Sequence, residues 1–131
     1  MLCRAVTLLS LAVVVAGLLP CKIDLKIRSK TEKKFRVDVF VPSLKVKADN
    51  ILFDGVDQNK KVMVEGPDCD SKKWLIQTYK WDEETKDWAQ AKNITGKFFG
   101  TGMIRFVVGD ELLPTLKDTN GVWITESELI G

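Results

Sequence analysis

Alternation with a period of two restricts this chain more than any other feature. From Lys22 to Arg28, Ile23, Leu25 and Ile27 fall on one side, and Lys22, Asp24, Lys26 and Arg28 on the other. Successive side chains point to opposite sides only in an extended strand, so this is the mark of a strand with one buried face. The pattern recurs with Phe35, Val37, Val39 and Val41, with Leu44, Val46 and Ala48, with Val62 and Val64, and with Ile104, Phe106 and Val108. Pro42, Gly66-Pro67-Asp68 and Gly109-Asp110 punctuate these runs as turn signals. No stretch shows sustained helical periodicity with caps at both ends.

Several boundaries follow from the same reading. Lys45 and Lys47 predict an edge strand, where lysines discourage pairing with a second molecule. Ile51–Phe53 reads as a separate short segment closed by Asp54-Gly55. Asn93–Gly102 reads as a glycine-punctuated, loop-like stretch, and Pro114 leaves 112–117 ambiguous. Asn120-Gly121 reads as a hairpin turn before a last strand, Val122–Thr125. Seven to nine short strands separated by turns predict an all-β fold, an antiparallel β-sandwich of immunoglobulin-like or transthyretin-like architecture.

The richest stretch is Lys73–Ala91, which holds three of the four tryptophans and the single tyrosine. Trp74–Trp81 reads as one strand and Trp88 opens the next. Trp81 then faces Trp88, Asp82 faces Asp87, and Glu83–Lys86 form the loop. Two carboxylates directly opposite each other are mildly unfavourable. A facing tryptophan pair offsets this with roughly 0.5–1.5 kcal/mol beyond its area burial. The octet Trp81–Trp88 resembles the second hairpin of the immunoglobulin-binding domain of protein G, which implies turn geometry and not antibody binding. On the first strand, Leu75, Gln77, Tyr79 and Trp81 share one face and Trp74, Ile76, Thr78 and Lys80 the other. One face is expected in the core. The other is free to meet a partner, so Trp74, Tyr79, Trp81 and Trp88 are the candidate partner-binding residues.

The chain's start has the form of a secretory signal: a basic Met1–Arg4, an apolar Ala5–Leu19, and small residues near Ala16 and Gly17. Residues 1–17 are therefore expected to be a signal peptide and 18–131 a single secreted domain, with no stable membrane association after cleavage. In that setting Cys21 and Cys69 are expected to form a disulfide. Asn93-Ile94-Thr95 is a glycosylation sequon, with Asn93 the candidate acceptor.

The whole sequence contains no histidine. That excludes Ser-His and Cys-His nucleophiles and histidine-containing zinc sites. Nothing singles out a carboxylate pair, and no catalytic, cofactor or metal residues are assigned. The acidic turns at Asp54/Asp57, Asp68/Asp70 and Asp110/Glu111 are read as ordinary turn chemistry rather than calcium ligands. Asp118–Gly121 is no EF-hand, because Leu116 and Ser127 occupy its first and last ligand positions. Lys22–Lys47 carries nine basic residues against three acidic, whereas Asp110–Gly131 carries five acidic against one basic. Such a basic face suits heparan sulfate, anionic lipid or an acidic protein. The bland alternative is that lysines fill the solvent positions of alternating strands, and it accounts for their spacing.

The size of the chain and the spacing of Cys69, Trp74, Ile76 and Tyr79 resemble the small secreted β-sandwich proteins abundant in nematodes. That resemblance carries over no functional residues. The expected function is non-catalytic binding of an extracellular protein or glycan, with no role in nucleic-acid binding. The alternatives are an enzyme inhibitor and a carboxylate-based hydrolase.

Overall fold

A computed structural model describes residues 20–130. The expected signal peptide lies outside them. Seven strands follow in order: β1 (Cys21–Ser29), β2 (Phe35–Val41), β3 (Val46–Phe53), β4 (Asn59–Gly66), β5 (Trp74–Asp82), β6 (Asp87–Val108) and β7 (Pro114–Ile130). A single 3-10 turn at Pro42–Leu44 separates β2 from β3. The all-β expectation holds. The strands form one mixed, nearly closed, barrel-like sheet in the order β3-β2-β5-β6-β1-β4, with β7 beside β6.

The sheet is not wholly antiparallel, because β1 runs parallel to β6 with Lys22 opposite Thr101 and Ser29 opposite Val108. The 22-residue β6 explains how one sheet becomes two halves. Its first part pairs with β5, from Asp82 opposite Asp87 to Trp74 opposite Gly96. Its last part pairs with β1, and β7 follows it from Asn93 to Val108. A strand has only two hydrogen-bonding edges. With β7 on one edge, β5 and β1 must succeed each other along the opposite one. The halves β3-β2-β5 and β4-β1 therefore meet at the middle of a long β6–β7 hairpin.

Two sequence expectations are corrected at that junction. Asn93–Gly102 is strand rather than loop, and Asn120-Gly121 lies inside β7 rather than at a turn. Register shifts interrupt β6–β7 between Lys97 and Phe98, and between Gly100 and Met103. Gly100, Gly102 and Gly121 take φ values of 138°, 153° and 74° there. A side chain on Gly102 would run into the Asn120 carbonyl, and one on Gly121 into that of Thr101. The glycines serve close backbone approach and strand bending, a use that sequence punctuation does not separate from a turn. Likewise, β3 is one strand that includes the segment expected at Ile51–Phe53, while Leu44 belongs to the 3-10 turn. The edge position expected for Lys47 is correct.

The inward faces of both halves form one buried cluster. Ile23, Leu25 and Ile27 of β1 join Phe35, Val37, Val39 and Val41 of β2 as predicted. Phe35 stacks on Phe53 with centroids 4.6 Å apart, and Phe98 packs edge-on against both Trp74 and Phe106. Cys21 and Cys69 are disulfide-bonded, with Cα atoms 6.1 Å apart, which ties the start of β1 to the approach to β5.

Candidate functional site

The hairpin between β5 and β6 forms in the predicted register, Trp81 opposite Trp88 and Asp82 opposite Asp87. Asp82 makes the turn: its carboxylate accepts from the Glu84 and Thr85 amides at 2.9 and 3.4 Å, and its carbonyl from Lys86 N at 2.8 Å. Lys86 takes a left-handed φ of 56° to close the loop. The carboxylate of Asp87 accepts from the Trp88 amide at 2.8 Å. Each member of the like-charged pair is thus committed to backbone amides, Asp82 in the turn and Asp87 at the start of β6, which offsets their repulsion.

The two faces of β5 separate as expected in part: Gln77 on the outer face is buried where the register shifts, and Lys80 on the inner one is exposed. Trp74, Ile76 and Thr78 point into the core. Trp74 is wholly buried and its indole donates to the Cys69 carbonyl at 2.6 Å. It is therefore withdrawn as a partner-binding residue, since its face of the strand closes the core. Tyr79, Trp81 and Trp88 are half-exposed on the outer face. Trp81 and Trp88 meet edge to face with centroids 5.3 Å apart.

Cross-strand pairing then brings in two cations. Arg36 of β2 lies opposite Tyr79, and Lys34 precedes the strand. The guanidinium of Arg36 sits 3.9 Å from the Tyr79 ring centroid and 5.7 Å from that of Trp88. The Lys34 ammonium sits 4.5 Å from the Trp81 centroid and 5.6 Å from that of Trp88. A negative ring face attracts such cations by roughly 0.5–1 kcal/mol at exposed sites. Asp38, 3.3 Å from Arg36, orients the guanidinium and also accepts from the Asn50 amide. The arrangement is a layered patch of two cations on three aromatic rings.

Two clefts flank the patch. One, of about 680 Å³, lies between Trp81, Lys34, Lys80 and Lys92 and the acidic turn at Asp110-Glu111. Lys33 closes it by donating to the Asp110 carbonyl at 2.8 Å. The other, of about 310 Å³, runs over Phe40, Leu75, Tyr79 and Gln90.

Asn93 lies inside β6, half-buried and opposite Gln77, whose side-chain oxygen accepts from its amide at 3.4 Å. The loop expected around the sequon is thus replaced by a paired strand. Among the acidic turns, Asp57 bonds Arg28 at 2.7 Å, which holds its carboxyl below the usual range, and Asp54 accepts from Gln58. Among the described residues no three Cys, Asp or Glu side chains converge as metal ligands.

Sequence reasoning passed over Lys34 and Arg36 as ring partners, because that role depends on the pairing of β2 with β5. It also passed over Trp123, which is 73% exposed on β7 opposite Phe99. Alternation did not mark its outward position, since Val122, Trp123 and Ile124 are consecutive apolar residues and Ile124 is itself exposed.

No family model matches the chain, and no curated protein matches it. Among solved structures it is similar to a disulfide-locked mutant of intermedilysin with human CD59, at TM-score 0.44 and 8% identity over 76% of this chain. It is also similar to a Gram-negative toxin, at TM-score 0.40 and 12% identity over 74%. Listeriolysin O follows at TM-score 0.36 and 8% identity over 76%. The chain spans 24%, 22% and 22% of those chains respectively.

Proposed function

We propose that the protein is a secreted, non-catalytic binding module, a β-sandwich whose two layers are the halves joined by β6 and β7. It acts by docking an extracellular protein on the outer face of β2, β5 and β6. The observation that carries this reading is the pre-stacked set Lys34, Arg36, Tyr79, Trp81 and Trp88. Tryptophan, tyrosine and arginine are enriched among the few residues that carry most of the binding energy at protein interfaces. Rings and cations already held against one another lose little further freedom on binding, and this favours affinity. The face is built on paired strands, which hold it more rigidly than a loop would. The adjoining cleft gives a protruding partner residue somewhere to enter.

The test is affinity capture from extracellular fluid with wild-type protein, Trp81→Ala and Trp123→Ala, each checked for folding. A protein retained by wild type and Trp123→Ala but lost with Trp81→Ala supports the proposed face. Equal capture by all three would place the binding surface elsewhere.

A further inference from the structure

A second outward face, away from the aromatic patch, gathers positive charge in a way that strand alternation alone does not explain. Lys61 of β4 lies opposite Lys26 of β1, and Lys26 lies opposite Arg105 of β6. Three cations therefore stand side by side across three neighbouring strands. Arg28 flanks them on the same face, and these four line a cleft of about 480 Å³ together with Asn59 and with Lys60, whose register opposite Ile27 places it on the other side of β4. That volume falls within the usual range for a ligand site.

Two carboxylates sit at the margins. Asp57 binds Arg28 at 2.7 Å, and Asp118 lies 3.6 Å from Arg105. Lys26, Lys60 and Lys61 make no ion pair among the described residues. The next outward residue of β1, Asp24, lies outside the cleft lining, has one carboxylate oxygen buried without a partner, and forms no ion pair among the described residues. The centre of the cleft is left with uncompensated charge. The Nε of Arg28 is moreover buried without an acceptor.

Like charges directly opposite each other destabilise a sheet. Lysines on an edge strand protect it from unwanted pairing, which accounts for Lys60 and Lys61 on β4. Lys26 and Arg105 lie on interior strands, where no edge needs protecting. Asp118 compensates Arg105 from the margin, while Lys26, between Arg105 and Lys61, has no ion-pair partner among the described residues.

We propose that this cleft binds a sulfated glycan chain across Lys61, Lys26 and Arg105, with Arg28 and Lys60 at its sides. Neighbouring strands are about 4.8 Å apart, so the three cations form a ladder spanning roughly 10 Å. A ladder of that length matches several oxyanions along one chain better than a single small ion. The cleft lining contains no aromatic ring. Proteins that hold single-stranded nucleic acid combine a basic groove with aromatic rings on which bases stack, and without such rings the geometry favours a sulfated saccharide. Two of the three ladder residues, Lys61 and Arg105, come from outside the basic stretch visible in the sequence.

The experiment is calorimetric titration of the full secreted domain with a heparin-derived hexasaccharide. Its desulfated counterpart and a single-stranded oligonucleotide of equal charge serve as comparison probes. The sulfated probe should bind, with log affinity falling linearly with log salt as counterions are released. Lys26→Gln combined with Arg105→Gln should weaken it about tenfold and lower the salt slope by roughly two. Lys60→Gln with Lys61→Gln, on the solvent-exposed edge, provides a second pair that leaves Asp118 and Asp57 with their partners. Trp81→Ala should bind the sulfated probe as wild type does, which separates this site from the aromatic face. Equal binding of the desulfated probe, tighter binding of the oligonucleotide, or unchanged affinity in both double variants would overturn the proposal.

Discussion

The Thr78 hydroxyl lies 2.6 Å from the Leu112 carbonyl, inside the protein. The same oxygen accepts from the Lys92 amide at 3.1 Å, where β5 and β6 lose register. One side chain thus fastens the turn at 109–112 to the irregularity beneath the aromatic patch. Replacing Thr78 by Val keeps the shape and removes both bonds, leaving a buried carbonyl and a half-buried amide without this partner. Denaturant unfolding should show a loss of roughly 1–3 kcal/mol. A loss below about 0.5 kcal/mol would mean that water takes over the hydroxyl's role.

The tryptophan pair is open to a double-mutant cycle. Trp81→Ala and Trp88→Ala, singly and together, should give a coupling of roughly 0.5–1.5 kcal/mol from their edge-to-face contact. Lys34→Ala should add a smaller loss that shrinks in high salt, since cation–ring attraction is electrostatic.

Gly121 tests the bend of the long hairpin. Its φ of 74° and the adjacent Thr101 carbonyl leave no room for a methyl group. Gly121→Ala should cost about 3 kcal/mol or more, among the larger effects of a single substitution. Thermal unfolding of the variant at wild-type temperature would show that the strand shifts to accept it.

The disulfide closes a loop between residues 48 positions apart. Replacing Cys21 and Cys69 together by Ser should lower stability by about 4 kcal/mol if loop-closure entropy dominates. Reduction of the wild type should produce a comparable fall in the denaturation midpoint, since it opens the same loop.

Acid should act in part through Asp57. Arg28 lowers the folded-state pKa of this carboxyl, by hydrogen bond and by charge. The contribution is therefore present above the unfolded-state pKa and is lost as pH falls through the folded one. Asp57→Asn should be less stable than wild type at neutral pH, and the two should converge as the solution is acidified. The exposed setting makes the difference small and sensitive to salt. A gap that widened at low pH would contradict this assignment.

Much was settled by local pattern. The alternation of Ile23, Leu25 and Ile27, of Phe35 to Val41, and of Ile104 to Val108 determined which faces are buried, because side-chain direction in a strand has a period of two. The register of Trp81 on Trp88 was legible for the same local reason: four loop residues leave little choice of pairing. The cysteine pair followed from there being two, Cys21 and Cys69, beyond the expected signal peptide.

What the sequence alone did not decide was everything that depends on which strand lies beside which. Nothing local reveals that β1 runs parallel to the end of β6, or that Gly100, Gly102 and Gly121 bend a strand instead of ending one. These depend on contacts between residues far apart in the chain. The aromatic patch shows the division most plainly. Tyr79, Trp81 and Trp88 were visible in one short segment, but Lys34 and Arg36 reach them only because β2 pairs with β5. The basic ladder of Lys61, Lys26 and Arg105 has the same origin. Each lysine or arginine looks like an ordinary solvent position until hydrogen bonding between strands places like charges at one level of the sheet.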